Sequence, residues 1–149
     1  MIPKFYLTAE TKKKLETKLQ ELQAKIHEAD IEIGEAVEHG TWHDNFSYEQ
    51  AHQKREFYEI QIRDLKQKLA YVELIIPNQD TTKIGIGHKA TLEFQGQQKT
   101  YTVLGELDSD SQKNFISYIS PIGQQLMEKK VGDKINGDWQ IKSFKPGDF

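Results

Sequence analysis

From Leu15 the apolar positions along the chain fall at Leu15, Leu19, Leu22, Ile26, Ala29, Ile33 and Ala36, in alternating steps of four and three. This is a heptad seam, which puts all seven side chains in one stripe of a helix. Thr8 precedes the run and Glu10 falls in the first turn, so Thr8 is the expected N-cap. A second seam runs through Tyr48, Ala51, Arg55, Tyr58, Ile62, Leu65, Leu69, Val72 and Ile76. Arg55 is its one charged member, and its stem can lie along the seam with the head group in water. The short connector between the runs is centred on Gly40, a residue suited to a helix C-terminus. Two helices joined this closely predict an antiparallel hairpin. At about 30 residues each they would reach roughly 45 Å, with the connector at the far tip.

Pro77-Asn78-Gln79-Asp80 ends the second run and reads as a linker. The period then changes. HKATLEF (88–94) alternates, Gln95-Gly96-Gln97 turns, and KTYTVLG (99–105) alternates again. ELDSDSQ (106–112) is a polar loop, and NFISYIS (114–120) is a further strand. Ser120-Pro121 is a helix start, with serine at N-cap and proline at N1, leading into the short helix IGQQLMEKK. VGDKI (131–135) and DWQIKSF (138–144) flank Asn136-Gly137, a strong hairpin turn. The expected fold class is α+β: a long N-terminal helical hairpin over 1–76 with its tip at 39–49, a linker at 77–82, and a small, mostly antiparallel α+β domain over 83–149.

Composition narrows the chemistry. The chain has 149 residues, 29% charged and 36% apolar, which suits a rod with a large surface. A net charge of −3 argues against free DNA binding or attachment to an anionic membrane. With no cysteine, disulfides, thiolate metal sites and cysteine nucleophiles are excluded. No apolar run approaches membrane length and no apolar signal core opens the chain, so a cytoplasmic protein is expected. Lys4, Lys12, Lys13, Lys14, Lys18 and Lys25 crowd the hairpin's base. From Ile26 to Gln53 there is no lysine or arginine, but there are Glu28, Asp30, Glu32, Glu35, Glu38, Asp44 and Glu49. Such a run serves as a solvated face. Carried on a rod, it could also be steered into a positively lined channel, or bring a carboxylate to a metal ion.

The stretch HGTWHDNFSYEQ (39–50) collects the candidate chemistry. Asp44 is a favoured helix N-cap, and equally a carboxylate that could bind a metal or orient water. Thr41 is an alternative cap, with Asp44 at N3. His39 and His43 lack the third protein ligand a zinc site needs. Trp42 and Phe46 have no core to enter at a hairpin tip; they would pack on each other or anchor in a partner. In the second domain Phe94, Tyr101, Phe115, Trp139 and Phe144 read as core. GIGH (85–88) lacks the following helix of a phosphate loop, and no Ser/His/Asp arrangement is evident. The chain carries no self-contained active site.

A long antiparallel coiled coil, a carboxylate at its tip and a small α+β domain together resemble the GreA/GreB transcript cleavage factors of bacteria. In the first half the resemblance rests on the glycine of EHGTWHDNFSYEQA, with Asn45, Tyr48 and Ala51, and on FYEIQIRDLKQKL, with Phe57, Glu59, Ile62 and Leu65. In the second half NFISYISPIGQQLMEKKVGD is similar to the family's ISxxSPIGxALLGKxxGD, matching at Ser117, Ser120, Pro121, Ile122, Gly123, Leu126, Gly132 and Asp133. The resemblance implies an FKBP-like second domain that docks beside the secondary channel of bacterial RNA polymerase through Ser120, Pro121, Ile122 and Gly123. It implies a coiled coil that enters the channel as a monomer, with its tip beside the nascent RNA 3′ end. Tip carboxylates there would help hold a second Mg²⁺ shared with the polymerase, which then hydrolyses backtracked RNA. The factor would complete that site without being an enzyme itself, and would bind no metal tightly alone.

The tip departs from the family pattern at two positions. Active members carry an aspartate just after the glycine and a glutamate three residues on; here these are Thr41 and Asp44. A neutral hydroxyl is a poor magnesium ligand. His52 stands where the family has a basic residue that faces RNA. The leading expectation is a factor that rescues paused or backtracked complexes, with cleavage resting on Asp44 and supported by Asn45 and Tyr48. The alternative within the family is a cleavage-deficient paralogue that modulates polymerase by occupying the channel, with Trp42 and Phe46 as anchors. Outside it stand an FKBP-type prolyl isomerase or chaperone, and an oligomerising coiled-coil adaptor.

Overall fold

The structure, a computed structural model, describes residues 4–38 and 46–149. It divides into two compact units, Lys12–Tyr71 on one side and Met1–Thr11 with Val72–Phe149 on the other.

The helical unit is built on α1 (Ala9–Glu38) and α2 (Phe46–Ala70). The heptad seam is realised in the burial. Leu22, Ala29 and Ala36 are buried and Leu15, Leu19, Ile26 and Ile33 half-buried, while every other residue of α1 from Lys13 to Glu38 is exposed. On α2, Ala51 and Leu65 are buried and Arg55, Tyr58, Ile62 and Leu69 half-buried. The cross-helix contacts run in opposite senses: Lys25 lies 5.6 Å from the ring centroid of Tyr58, Asp30 meets Arg55, and Glu32 meets Lys54. The helices are therefore antiparallel. At the start of α1, Thr8 Oγ1 accepts the N–H of Thr11 at 3.3 Å, the bond of an N-cap.

The second seam continues beyond the helix it predicts. Heptad spacing extends to Val72 and Ile76, but α2 ends at Ala70, where the Tyr71 N–H closes the last turn onto Lys68 O. Residues 72–74 form β2 (Val72–Leu74), paired in parallel with β1 (Phe5–Leu7) through Phe5↔Val72, Tyr6↔Glu73 and Leu7↔Leu74. The reason is local and tertiary at once. Val72, Ile75 and Ile76 are β-branched and fit a pleated surface, and the N-terminal segment supplies a partner that no seam reveals. The unit boundary accordingly lies at Tyr71/Val72, upstream of the boundary at Ile76 expected from the sequence.

The sheet of the second unit comprises β3 (His88–Phe94), β4 (Gln97–Leu104), β5 (Phe115–Ser117), β6 (Lys134–Ile135) and β7 (Trp139–Pro146), in the order β5-β4-β3-β7-β6. All pairs are antiparallel except β4 with β5. The short helix α3 (Pro121–Leu126) completes the unit. Several elements are shorter than their sequence runs: the strand expected over 114–120 covers three residues, the helix six, and the strand at 131–135 two. Gln97 lies in β4, so the first hairpin turn is Gln95-Gly96, both with positive φ (50° and 79°). Asn136 and Gly137 turn in the same left-handed region (48° and 89°).

The core of this unit is aliphatic: Ile84, Ala90, Leu92, Val103, Leu126, Ile135 and Ile141. Tyr101, Trp139 and Phe144 pack around it half-buried, so the aromatics expected to form the core instead border it. Phe94 is also half-buried and leans on Trp139, and Phe115 is half-buried under Lys113. The 77–82 segment, expected as a linker, is bonded into the unit. Asn78 donates from its side chain to Ile86 O (3.0 Å) and from its backbone to Gly87 O (3.2 Å). Buried His88 accepts the Gly85 N–H on Nδ1 (2.9 Å) and lies 2.8 Å from Asp80 O through Nε2. Among the described residues no helix is long and apolar enough to cross a membrane.

Candidate functional site

Toward the end of α1 and the start of α2 the buried seam positions become small. The buried positions there are alanines: Ala29, Ala36 and Ala51, the last with no exposure at all. Small side chains let two helices approach closely, so little apolar area is available to hold them. Polar contacts span the gap instead. Arg55 Nε donates to Asp30 Oδ1 at 2.6 Å, the same guanidinium donates to Glu59 one turn on, and Lys54 lies 3.9 Å from Glu32. The hydrogen bond to Asp30, then that to Glu59, raise the Arg55 pKa further above its already high value, so it stays a cation throughout. Arg55 is therefore a cross-helix bridge rather than a side chain that only snorkels, and its seam position was the sequence signal for that. Glu28, Glu35, Glu38 and Glu49 make no ion pair among the described residues and leave this end negative.

Thr41, Trp42, His43, Asp44 and Asn45 lie outside the described residues, so the cap and ligand expectations for Asp44 and Thr41 fall there too. Phe46 opens α2. Tyr48 is half-buried and meets exposed His52 edge-on, with ring centroids 4.5 Å apart. Among the described residues no three His, Asp or Glu side chains gather as a metal site.

The second candidate site is the start of α3. Ser120 has extended backbone (φ −66°, ψ 160°), and its hydroxyl accepts the Gly123 N–H at 3.1 Å while donating to Ser117 O at 2.6 Å. Its one O–H and one of its two lone pairs thus shape the turn. Gly123 is buried, and a Cβ there would fall 2.0 Å from Ser117 O, so only glycine fits. Ile122 packs against the core. What the turn offers to solvent is Pro121 and its neighbour Ile119, which is 44% exposed. Ile119 was not singled out from sequence; its signal was an apolar residue directly beside a helix-start serine.

A third feature ties the N-terminus to this unit. Buried Asp108 accepts from Thr8 Oγ1 (2.8 Å), Thr8 N–H (3.2 Å) and Gly105 N–H (3.0 Å). Gly105 has no room for a Cβ, which would meet Tyr6 O at 2.0 Å, and Tyr6 stacks edge-on against Tyr118 at 5.6 Å. By contrast, the gap among Leu92, Tyr101, Ile122 and Trp139 is small, at about 10 Å³.

Comparison with known proteins bears on both candidate sites. The family profile described as transcription elongation factor, N-terminal, matches residues 5–74, and that described as transcription elongation factor, GreA/GreB, C-term, matches residues 79–142. The chain belongs to the GreA/GreB transcription elongation factor family. The transcription elongation factor GreA of Rickettsia typhi is 37% identical over 140 residues, covering 89% of this chain and 85% of that protein. GreA of Streptococcus sanguinis is 32% identical over 144 residues, covering 93% and 89%. The solved structure of the transcription factor Gfh1 aligns at a TM-score of 0.48 with 22% identity, over 98% of this chain and 97% of that one. The first match ends at Leu74, the last residue of β2, and the second begins at Gln79, next to Asn78, where the chain has passed from its parallel strand pair into the loop before β3.

Proposed function

We propose that this protein is a bacterial transcription elongation factor that binds RNA polymerase through the secondary channel. There it rescues paused or backtracked complexes by stimulating the polymerase's own cleavage of the RNA 3′ end. The observation that supports this reading is one chain carrying both family matches in order, with two antiparallel helices joined in sequence by residues 39–45. The factor works in the cytoplasm as a monomer and supplies groups to the polymerase active site rather than owning one.

Asp44 would provide the carboxylate, as an oxygen ligand for Mg²⁺ and an acceptor for water. Thr41 adds only a neutral hydroxyl. The donor set therefore suits a metal held jointly with the polymerase, because a hard octahedral cation draws most of its ligands from elsewhere. When so held, the ion supplies water activation and stabilises the leaving oxygen. Asn45 and Tyr48 position the tip, Trp42 and Phe46 anchor it in apolar surface, and His52 faces RNA. In the sheet unit, the turn of Ser120, Pro121, Ile122 and Gly123 presents Pro121 and Ile119 to the polymerase.

Polymerase stalled in a backtracked state, incubated with the protein and Mg²⁺, tests this directly: the RNA should shorten from its 3′ end. Asp44→Ala should abolish shortening and Thr41→Asp should increase it. Pro121→Ala should weaken polymerase binding while the thermal melt stays unchanged. A specific observation favours a second reading, in which the protein occupies the channel without promoting cleavage: Thr41 removes one family acid. Binding without any shortening of RNA would select that reading over the first.

A further inference from the structure

We propose that the outer edge of β2 is a docking site for an extended, apolar segment of a partner protein that carries a basic residue. The parallel register leaves this edge free. Leu7 pairs with Leu74, and Ile75 N–H donates to Leu7 O at 2.8 Å, so Glu73 and Ile75 turn their peptide groups toward β1. The N–H and C=O of Leu74 then point away from β1, and among the described residues neither has a partner. Unpaired strand groups are satisfied by another strand, which specifies an extended occupant.

Beside this edge lies a groove of about 450 Å³ lined by Tyr6, Leu74, Ile76, Pro77, Asp80 and Ile86, all in one unit. Leu74 is 47% and Ile76 72% exposed, which suits alternate apolar side chains of an added strand. The groove is preformed. Gly87, with φ of 96°, lies so close under the Ile76 carbonyl that a Cβ would be 2.5 Å from it, and Asn78 bonds across to Ile86 O.

Charge selects the partner's chemistry. Asp80 Oδ1 accepts both the N–H (2.7 Å) and the hydroxyl (2.6 Å) of Thr82, which hold its carboxyl below the usual range, and Oδ2 has no partner among the described residues. Glu73 on the other rim is paired with Lys4 at 3.0 Å. A second copy would bring one acidic rim against another, whereas a lysine or arginine on a different chain meets the Asp80 carboxylate. The inference depends on this edge and groove and not on the polymerase reading.

Two capped heptapeptides of alternating valine and threonine, one ending in arginine and one in glutamine, probe the site on the full-length protein by NMR. We expect shifts at Val72–Ile76 and at least tenfold slower hydrogen exchange at the Leu74 amide. Leu74→Pro removes an N–H that the β1 ladder does not use, and should weaken both peptides at least tenfold. Ile76→Asp should do the same if the proline variant misfolds. Asp80→Asn keeps the acceptor for Thr82 and should weaken only the arginine peptide, by about threefold. The proposal is overturned by absence of shifts at millimolar peptide, or by shifts that survive both Leu74→Pro and Ile76→Asp. It is equally overturned by a wild-type dimer in sedimentation that Leu74→Pro dissolves, since the occupant would then be a second copy.

Discussion

The helical and sheet units solve the same problem with very different means. The sheet unit gathers seven aliphatic side chains into one cluster, several with no exposure, and surrounds them with rings. The helical unit has a single line of contact, in which leucines give way to Ala29, Ala36 and Ala51 toward its distal half. Burying an alanine gains far less than burying a leucine or isoleucine, so stability per residue falls along the rod. Ion pairs at Arg55 and Lys54 stand where apolar area runs short. The difference teaches that the alanine-lined half of the helical unit is held by little apolar area and is acidic, whereas the sheet unit is held by one aliphatic cluster.

The largest break in this contrast should come from Leu126→Ala. It opens a cavity in the aliphatic cluster and should cost about 2–5 kcal/mol. In a thermal melt the near-ultraviolet signal of Trp139 should be lost well before the helical signal at 222 nm. Loss of both together would mean the two units do not melt separately.

Ala36→Leu tests the opposite unit. It inserts three carbons at a buried seam position, and overpacking of this kind costs about 1–3 kcal/mol. The helical signal should melt earlier while Trp139 is unaffected. An unchanged or higher helical midpoint would show that the distal seam has spare room.

Arg55→Met keeps the stem in the seam and removes the charge. The effect should be smaller than either core change, in keeping with exposed ion pairs, and should shrink further in molar salt. A loss that is insensitive to salt would instead point to packing of the stem.

The smallest effect should come from Thr82→Val, in the loop before β3. Asp80 is depressed in the folded protein, by the Thr82 hydroxyl first and its N–H second. A depressed carboxyl contributes stability above its unfolded pKa and loses it as pH falls through the folded one. The variant should therefore raise the Asp80 pKa in an NMR titration, and its stability deficit should be present at neutral pH and vanish in acid. A deficit independent of pH would assign the hydroxyl a role other than bonding Asp80.

The seam of α1, the caps at Thr8 and Ser120, both hairpin turns and the α+β class could all be read in advance, because each follows from a few neighbouring residues. Heptad spacing needs one helix, a cap one hydroxyl and one N–H, a tight turn two residues with positive φ. The family motif at 120–123 was legible for the same reason, although its serine proves to be committed to the turn, leaving Pro121 and Ile119 as the exposed pair. What only the tertiary structure decided lies between distant residues. Val72 and Ile76 keep helical spacing, yet β1, nearly seventy positions earlier, draws that segment into a strand. Asp108 reads as one acid in a polar loop until Thr8, 100 residues away, bonds to it. The open edge of β2 likewise exists only because β1 takes the other side. Local patterns dictate which element a segment can form; the unpaired peptide groups and buried carboxylates left over are satisfied by whichever remote segment the fold brings to them.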